Sequence, residues 1–173
     1  MRRILIEKEM TDPKHCSFGF PWENDSTCFK FEIPEECVLA EDIDKITDKD
    51  NIETLVIGCD LDSYDFISDM VNLRFLYIYE GSNVRSLDFV EKLVRLQQLY
   101  IVNTHISDLS PLYPLVVEKE RLINKETSLM KGFDYMISGI CIETDKEIED
   151  AYKLLNAGVH ITELIIGRKR IRS

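Results

Sequence analysis

Apolar residues through the middle of the chain recur in a fixed three-position figure. Ile52, Leu55 and Ile57 are followed by Leu73, Leu76 and Ile78, and then by Leu96, Leu99 and Ile101. The last members of these sets stand 21 and 23 residues apart. Alternation at the end of each set is the period of a strand, so each set predicts a short strand. The near-constant spacing predicts one structural unit used repeatedly. A degenerate fourth unit falls at Ile123, where Glu118 and Arg121 occupy the apolar places. The figure returns at Ile137, Ile140 and Ile142 and at Ile161, Leu164 and Ile166.

Between these strands the pattern changes period. Residues 62–70, 86–94 and 145–157 carry apolar residues at i, i+3 and i+4, which predicts partly helical return segments. Gly158 is placed as a stop for the last of them. Pro111 and Pro114 predict a short, non-helical third return. Ahead of the repeats, Arg3–Glu7 reads as a short strand, residues 11–27 as loop, and Phe29, Phe31 and Ile33 as a half-buried strand ending at Pro34. Residues 35–51 are acidic, with Val38, Leu39, Ile43 and Ile46 at roughly helical spacing. RKRIRS after Gly167 reads as a frayed basic tail.

One unit is more specific than the rest. The stretch LQQLYIVNTHISDLSPLYPL, residues 96–115, holds Leu96, Leu99 and Ile101, then Asn103 and Thr104 before Ile106, and Ser110, Pro111 and Leu112 after it. It resembles a leucine-rich repeat of the bacterial internalin-like type, and the resemblance covers roughly residues 43–167. The resemblance implies an α/β fold: a short solenoid with a parallel concave sheet, a mixed helical and irregular convex side, and an N-terminal β cap over residues 1–42. About six repeats would occupy 43–167, with 168–173 as tail, all in a single domain. It also implies a protein-binding role.

Stacking such repeats puts outward residues in columns. The central column reads Val56, Tyr77, Tyr100, Leu122, Cys141, Ile165. The flanking columns read Thr54, Phe75, Gln98, Glu120, Gly139, Glu163 and Gly58, Tyr79, Val102, Asn124, Glu143, Gly167. An aromatic cluster on the concave face makes Phe75, Tyr77, Tyr79, Gln98, Tyr100, Val102, Glu143 and Glu163 the candidate partner-binding residues, since aromatic anchors dominate interface energetics. Two structural alternatives stand beside this reading. The column can be ordinary cross-strand packing, or the loop carrying Phe18, Phe20 and Trp22 can fold over it.

Charge narrows the class of partner. The chain of 173 residues has a net charge of -11 and a pI near 4.8, which disfavours nucleic acid and anionic membrane and favours a basic protein. Asp60, Glu80, Glu143 and Glu163 would steer it. MRRILIEKEM offers no signal-peptide core, and no apolar run approaches the roughly 18 residues of a span. Five scattered cysteines suit free thiols, so a cytoplasmic setting is expected.

Chemistry-bearing spacings are weak. His15, Cys16, Cys28 and Cys37 match no zinc pattern, and around Asp60, Asp62 and Asp65, Tyr64 sits where a calcium loop needs an oxygen ligand and the loop glycine is absent. His105 beside Ser107 and Asp108 reads as a turn residue, and His160 has no evident partner. Neither a phosphate-cradling glycine motif nor HExxH occurs. No enzyme, cofactor or metal is therefore expected. The expectation is a non-catalytic protein-interaction module using its concave face. An immunity-type inhibitor of a basic toxin and a self-associating homodimer, joined by its aromatic face or terminal strand, are the alternatives.

Overall fold

The computed structural model describes residues 1–13, 33–125, 137, 139–148, 153–154, 164–166 and 169–171. The fold is α/β, dominated by one eight-stranded sheet. Its strands are β1 (Arg2–Glu7), β2 (Glu36–Leu39), β3 (Ile52–Ile57), β4 (Phe75–Ile78), β5 (Gln98–Thr104), β6 (Gly139–Thr144), β7 (Leu164–Ile166) and β8 (Lys169–Ile171). They lie in the order β2-β1-β3-β4-β5-β6-β7-β8. Every neighbouring pair from β2 to β7 is parallel, and β8 returns antiparallel on β7.

The apolar figure sets the register. Leu55, Leu76, Leu99, Ile140 and Leu164 stand side by side, as do Ile57, Ile78, Ile101, Ile142 and Ile166. A slip by one residue would turn these side chains onto the other face, so their agreement pins the sheet. On one face the strand residues pack with buried Ile67, Met70, Leu87, Val90, Leu109 and Leu115 from the connections, forming the main core.

The connections that follow β3 and β4 contain short 3-10 helices, Asp65–Asp69 and Asp88–Val90. Tyr64, Ile67, Met70 and Leu73, and likewise Leu87, Val90, Leu93 and Leu96, are buried at steps of three. Three residues per turn puts such a series on one side of a 3-10 helix.

Several expectations are revised. The third return is the one long helix among the described residues, α1 (Leu112–Lys125). Pro114 sits in its first turn, where the backbone N–H has no partner within the helix to lose. Leu112, Leu115, Val116 and Lys119 form its buried stripe. Consequently the degenerate fourth unit is not a strand: Leu122 and Glu120 lie on α1, and β5 pairs directly with β6.

At the N-terminal end of the sheet, β1 and β2 both fall within residues 1–42, ahead of β3. The strand β1 lies between β2 and β3, with Ile4 beside Leu55, Leu5 beside Val56 and Ile6 beside Ile57. Residues 36–39 form the edge strand β2, followed by a 3-10 helix at Ala40–Lys45, where roughly helical spacing was expected. The basic tail contains β8, whose Ile171 and Arg170 stand beside Leu164 and Ile165. That pairing covers what would be an open edge of β7. Ile33 lies outside any strand, and Phe29 and Phe31 lie outside the described residues, as does most of 145–157.

Candidate functional site

The aromatic column forms as spaced in the sequence. Leu5, Val56, Tyr77, Tyr100 and Cys141 are neighbours across five strands, flanked by Thr54, Phe75, Gln98 and Gly139. It is not an open surface. Tyr77 is 0% exposed, Tyr100 1%, Gln98 2% and Phe75 6%. These residues, with Leu5, Val56 and Cys141, make a second packed layer on the face of the sheet opposite the main core. Parallel sheets are generally buried on both faces, and this one follows that rule.

The layer is internally organised. The Tyr77 hydroxyl donates to Gln98 Oε1 at 2.8 Å, and the Tyr100 ring lies 5.1 Å from Tyr79 and 6.4 Å from Tyr77 between centroids. Burial pushes the Tyr100 phenol far above its usual value. The expected contact residues Phe75, Tyr77, Gln98 and Tyr100 therefore present no surface to a partner. Tyr79, Val102 and Glu143 are partly accessible. Glu163, and the loop of Phe18, Phe20 and Trp22 weighed as a cover, lie outside the described residues.

Because neighbouring strands from β2 to β7 run parallel, their ends make two distinct edges. At the N-terminal edge four carboxylates are each matched by a cation, while the exposed Asp48 and Asp50 before β3 are in no ion pair among the described residues. Arg2 Nε meets Glu36 Oε1 at 2.7 Å, Arg3 pairs with Glu35, Lys49 Nζ meets Asp69 Oδ2 at 2.9 Å, and Arg74 Nη1 meets Glu53 Oε1 at 2.8 Å. Arg74 also donates to Gln97 and stands 5.5 Å over the Phe75 ring.

The C-terminal edge is different. Glu7 ends β1, Glu41 and Asp44 follow β2, Asp60 and Asp62 follow β3, Glu80 follows β4, and Glu143 lies near the end of β6. None of them is in an ion pair among the described residues. Glu7 packs over Gly58, so closely that a Cβ there would lie 1.8 Å from Glu7 Oε1. Burial raises the Glu7 pKa, opposed by a backbone hydrogen bond at Lys8, and the neighbouring Glu80 charge raises it further.

Neutral donors hold two of these carboxylates. Asp60 accepts from the Ser82 hydroxyl and, at 3.2 Å, from the Asn83 amide, which ties the turn after β3 to the turn after β4. Glu80 Oε2 accepts from Asn103 Nδ2 at 3.2 Å. Asn103 adopts a left-handed φ of 57°, a conformation that asparagine tolerates better than most residues. Neither arrangement neutralises the charge.

A cleft of about 640 Å³ opens at this edge. One wall is Ala40–Asp44, with Ala40, Glu41, Ile43 and Asp44; the other runs from Asp60 to Phe66, with Lys8 at its side. Among the described residues its lining thus combines four carboxylates with the apolar surfaces of Ile43, Leu61 and Phe66.

The remaining candidates have defined surroundings. His105 Nδ1 lies 2.8 Å from Asp145 Oδ1, joining the turns after β5 and β6, and His105 holds the Asp145 carboxyl below its usual range. Cys141 is buried in the aromatic layer, and burial pushes the Cys59 thiol up to about 11, away from nucleophilic thiolate chemistry. The Asp60 oxygens accept from Ser82 and Asn83 in the turns, and Asp65 accepts from Ser63. Among the described residues no group of three or more His, Cys, Asp or Glu is placed to hold a metal, and no helix is long and apolar enough to cross a membrane. The chain is similar to no family model, curated protein or solved structure.

Proposed function

We propose that the chain is a non-catalytic protein-interaction module built on leucine-rich repeats, and that it captures a basic partner along the C-terminal edge of its sheet. The repeat reading is supported by the shared register of Leu55, Leu76 and Leu99 and of Ile57, Ile78 and Ile101. The observation that carries the binding reading is the asymmetry of the two edges. Glu36, Glu35, Glu53 and Asp69 each have a cation at the N-terminal edge, whereas Glu7, Glu41, Asp44, Asp62, Glu80 and Glu143 have none in contact among the described residues.

A field of one sign attracts a partner of the other and speeds its encounter. Burial of Tyr77 and Tyr100 moves the expected contact from the face to this edge. Tyr79 and Val102, half-buried where the face meets the edge, supply apolar contact beside the acids.

Capture from the native host tests this reading. Wild-type chain recovers a partner that Glu7→Gln/Glu80→Gln/Glu143→Gln fails to recover, while Tyr100→Phe recovers it normally. Undiminished recovery by the triple variant refutes edge capture.

A further inference from the structure

We propose that the cleft at the C-terminal edge receives an arginine-bearing segment of that basic protein partner, with the guanidinium set against Phe66 and the carboxylates of Glu41, Asp44 and Asp62. The proposal rests on the edge reading and assigns it a site. The cleft is a cavity with two unlike components, and both are needed. Its volume of about 640 Å³ is that of a pocket for a short chain segment and exceeds the need of a single ion.

Glu41, Asp44 and Asp62 are exposed and have neither a hydrogen bond nor an ion pair among the described residues. Lys45, the nearest cation on the first wall, is held by Asp42 at 2.6 Å, which leaves Lys8 as the only cation of the lining among the described residues. Phe66 is partly buried against the main core and still lines the cleft. Ile43 and Leu61 extend this apolar surface.

A side chain suited to such a lining has a long apolar stem and a cationic head. Lysine and arginine share that description, and the aromatic wall separates them. A planar, weakly hydrated guanidinium stacks on a ring and pairs with carboxylates through two parallel N–H donors. A compact, strongly hydrated ammonium gains less from either.

The test is a titration of the full 15N-labelled chain with an acetylated tetra-arginine peptide and with its tetra-lysine counterpart. Shift changes are expected at residues 40–44 and 60–66, with the arginine peptide binding about fivefold tighter. Phe66→Leu removes that preference, and Glu41→Gln/Asp62→Asn, both at exposed positions, weakens both peptides about tenfold. Equal affinity of the two peptides, unchanged by Phe66→Leu, overturns the arginine assignment. Shifts confined to Glu80 and Glu143 overturn the cleft while leaving edge capture standing, and the absence of any shift overturns both.

Discussion

Tyr100 distinguishes a packed sheet face from an open binding face, because the two predict different costs for its removal. The ring is 1% exposed and lies between Tyr79 and Tyr77 in the second layer. Truncating a buried aromatic to alanine costs about 3–5 kcal/mol, through lost transfer energy and the cavity left behind. An exposed residue outside such a layer costs roughly 0.5 kcal/mol or less. Domains of this kind are stable by about 5–15 kcal/mol, so Tyr100→Ala should remain folded but close to the margin. With a urea m-value of about 2 kcal/mol per M, the midpoint falls by about 1.5–2.5 M. Tyr100→Phe keeps the ring and stays within about 1.5 kcal/mol of wild type, the net worth of one hydrogen bond. Equilibrium urea unfolding followed by far-UV circular dichroism measures both. A loss under about 1 kcal/mol for Tyr100→Ala refutes the packed second layer.

Two further outcomes test the packing elsewhere. Burial lowers the pKa of Lys119 to about 7, whereas the unfolded chain keeps this amine protonated to about 10.4. Above pH 7 the unfolded state then binds more protons than the folded one, so this group makes stability rise between pH 7 and 9. Above pH 9 the thiol of Cys59 opposes the trend, since it ionises more readily when unfolded. Urea unfolding at pH 7, 8 and 9 should show the rise in wild type and lose it in Lys119→Met; an equal rise in both would contradict the assignment. Gly81→Ala should cost about 1–3 kcal/mol, because its Cβ would stand 2.9 Å from the Val102 carbonyl oxygen, a fixed backbone atom. Gly58→Ala meets first the movable Glu7 carboxylate and should cost less; the same denaturation assay gives the order, and a reversed order would show that Glu7 is held rigidly.

Strand residues were legible where period and composition agreed. Ile57, Ile78 and Ile101 each close a figure of β-branched and aliphatic residues, and each falls in register with the next. The outward column of Val56, Tyr77, Tyr100 and Cys141 followed directly from that register. Its burial did not, because the period of two tells which residues share a face and not what else packs there.

Other features were hidden by competing signals. Met1, Ile4 and Ile6 have the same offsets as Ile52, Leu55 and Ile57, yet β1 is followed by no repeat at the usual distance, so its place inside the sheet was obscured. At α1 the prolines were weighed as breakers, although Pro114 stands in a first turn that tolerates it. Lys119 on the buried stripe weakened the helical pattern further. The acidic edge is only partly visible in sequence: Asp60, Glu80 and Glu143 stand on the repeat columns or their turns, but Glu7 lies 34 residues before Glu41 and meets Glu41 and Asp44 at that edge only because the strands run parallel.

The most direct test of edge capture is the affinity of the recovered partner, measured by calorimetry at about 50 and 200 mM salt. Glu7→Gln/Glu80→Gln/Glu143→Gln should weaken binding at least about tenfold and flatten its salt dependence, while Tyr100→Phe leaves both unchanged. Binding that is insensitive to salt and to the triple variant, yet lost in Tyr100→Phe, would contradict edge capture and return the site to the sheet face.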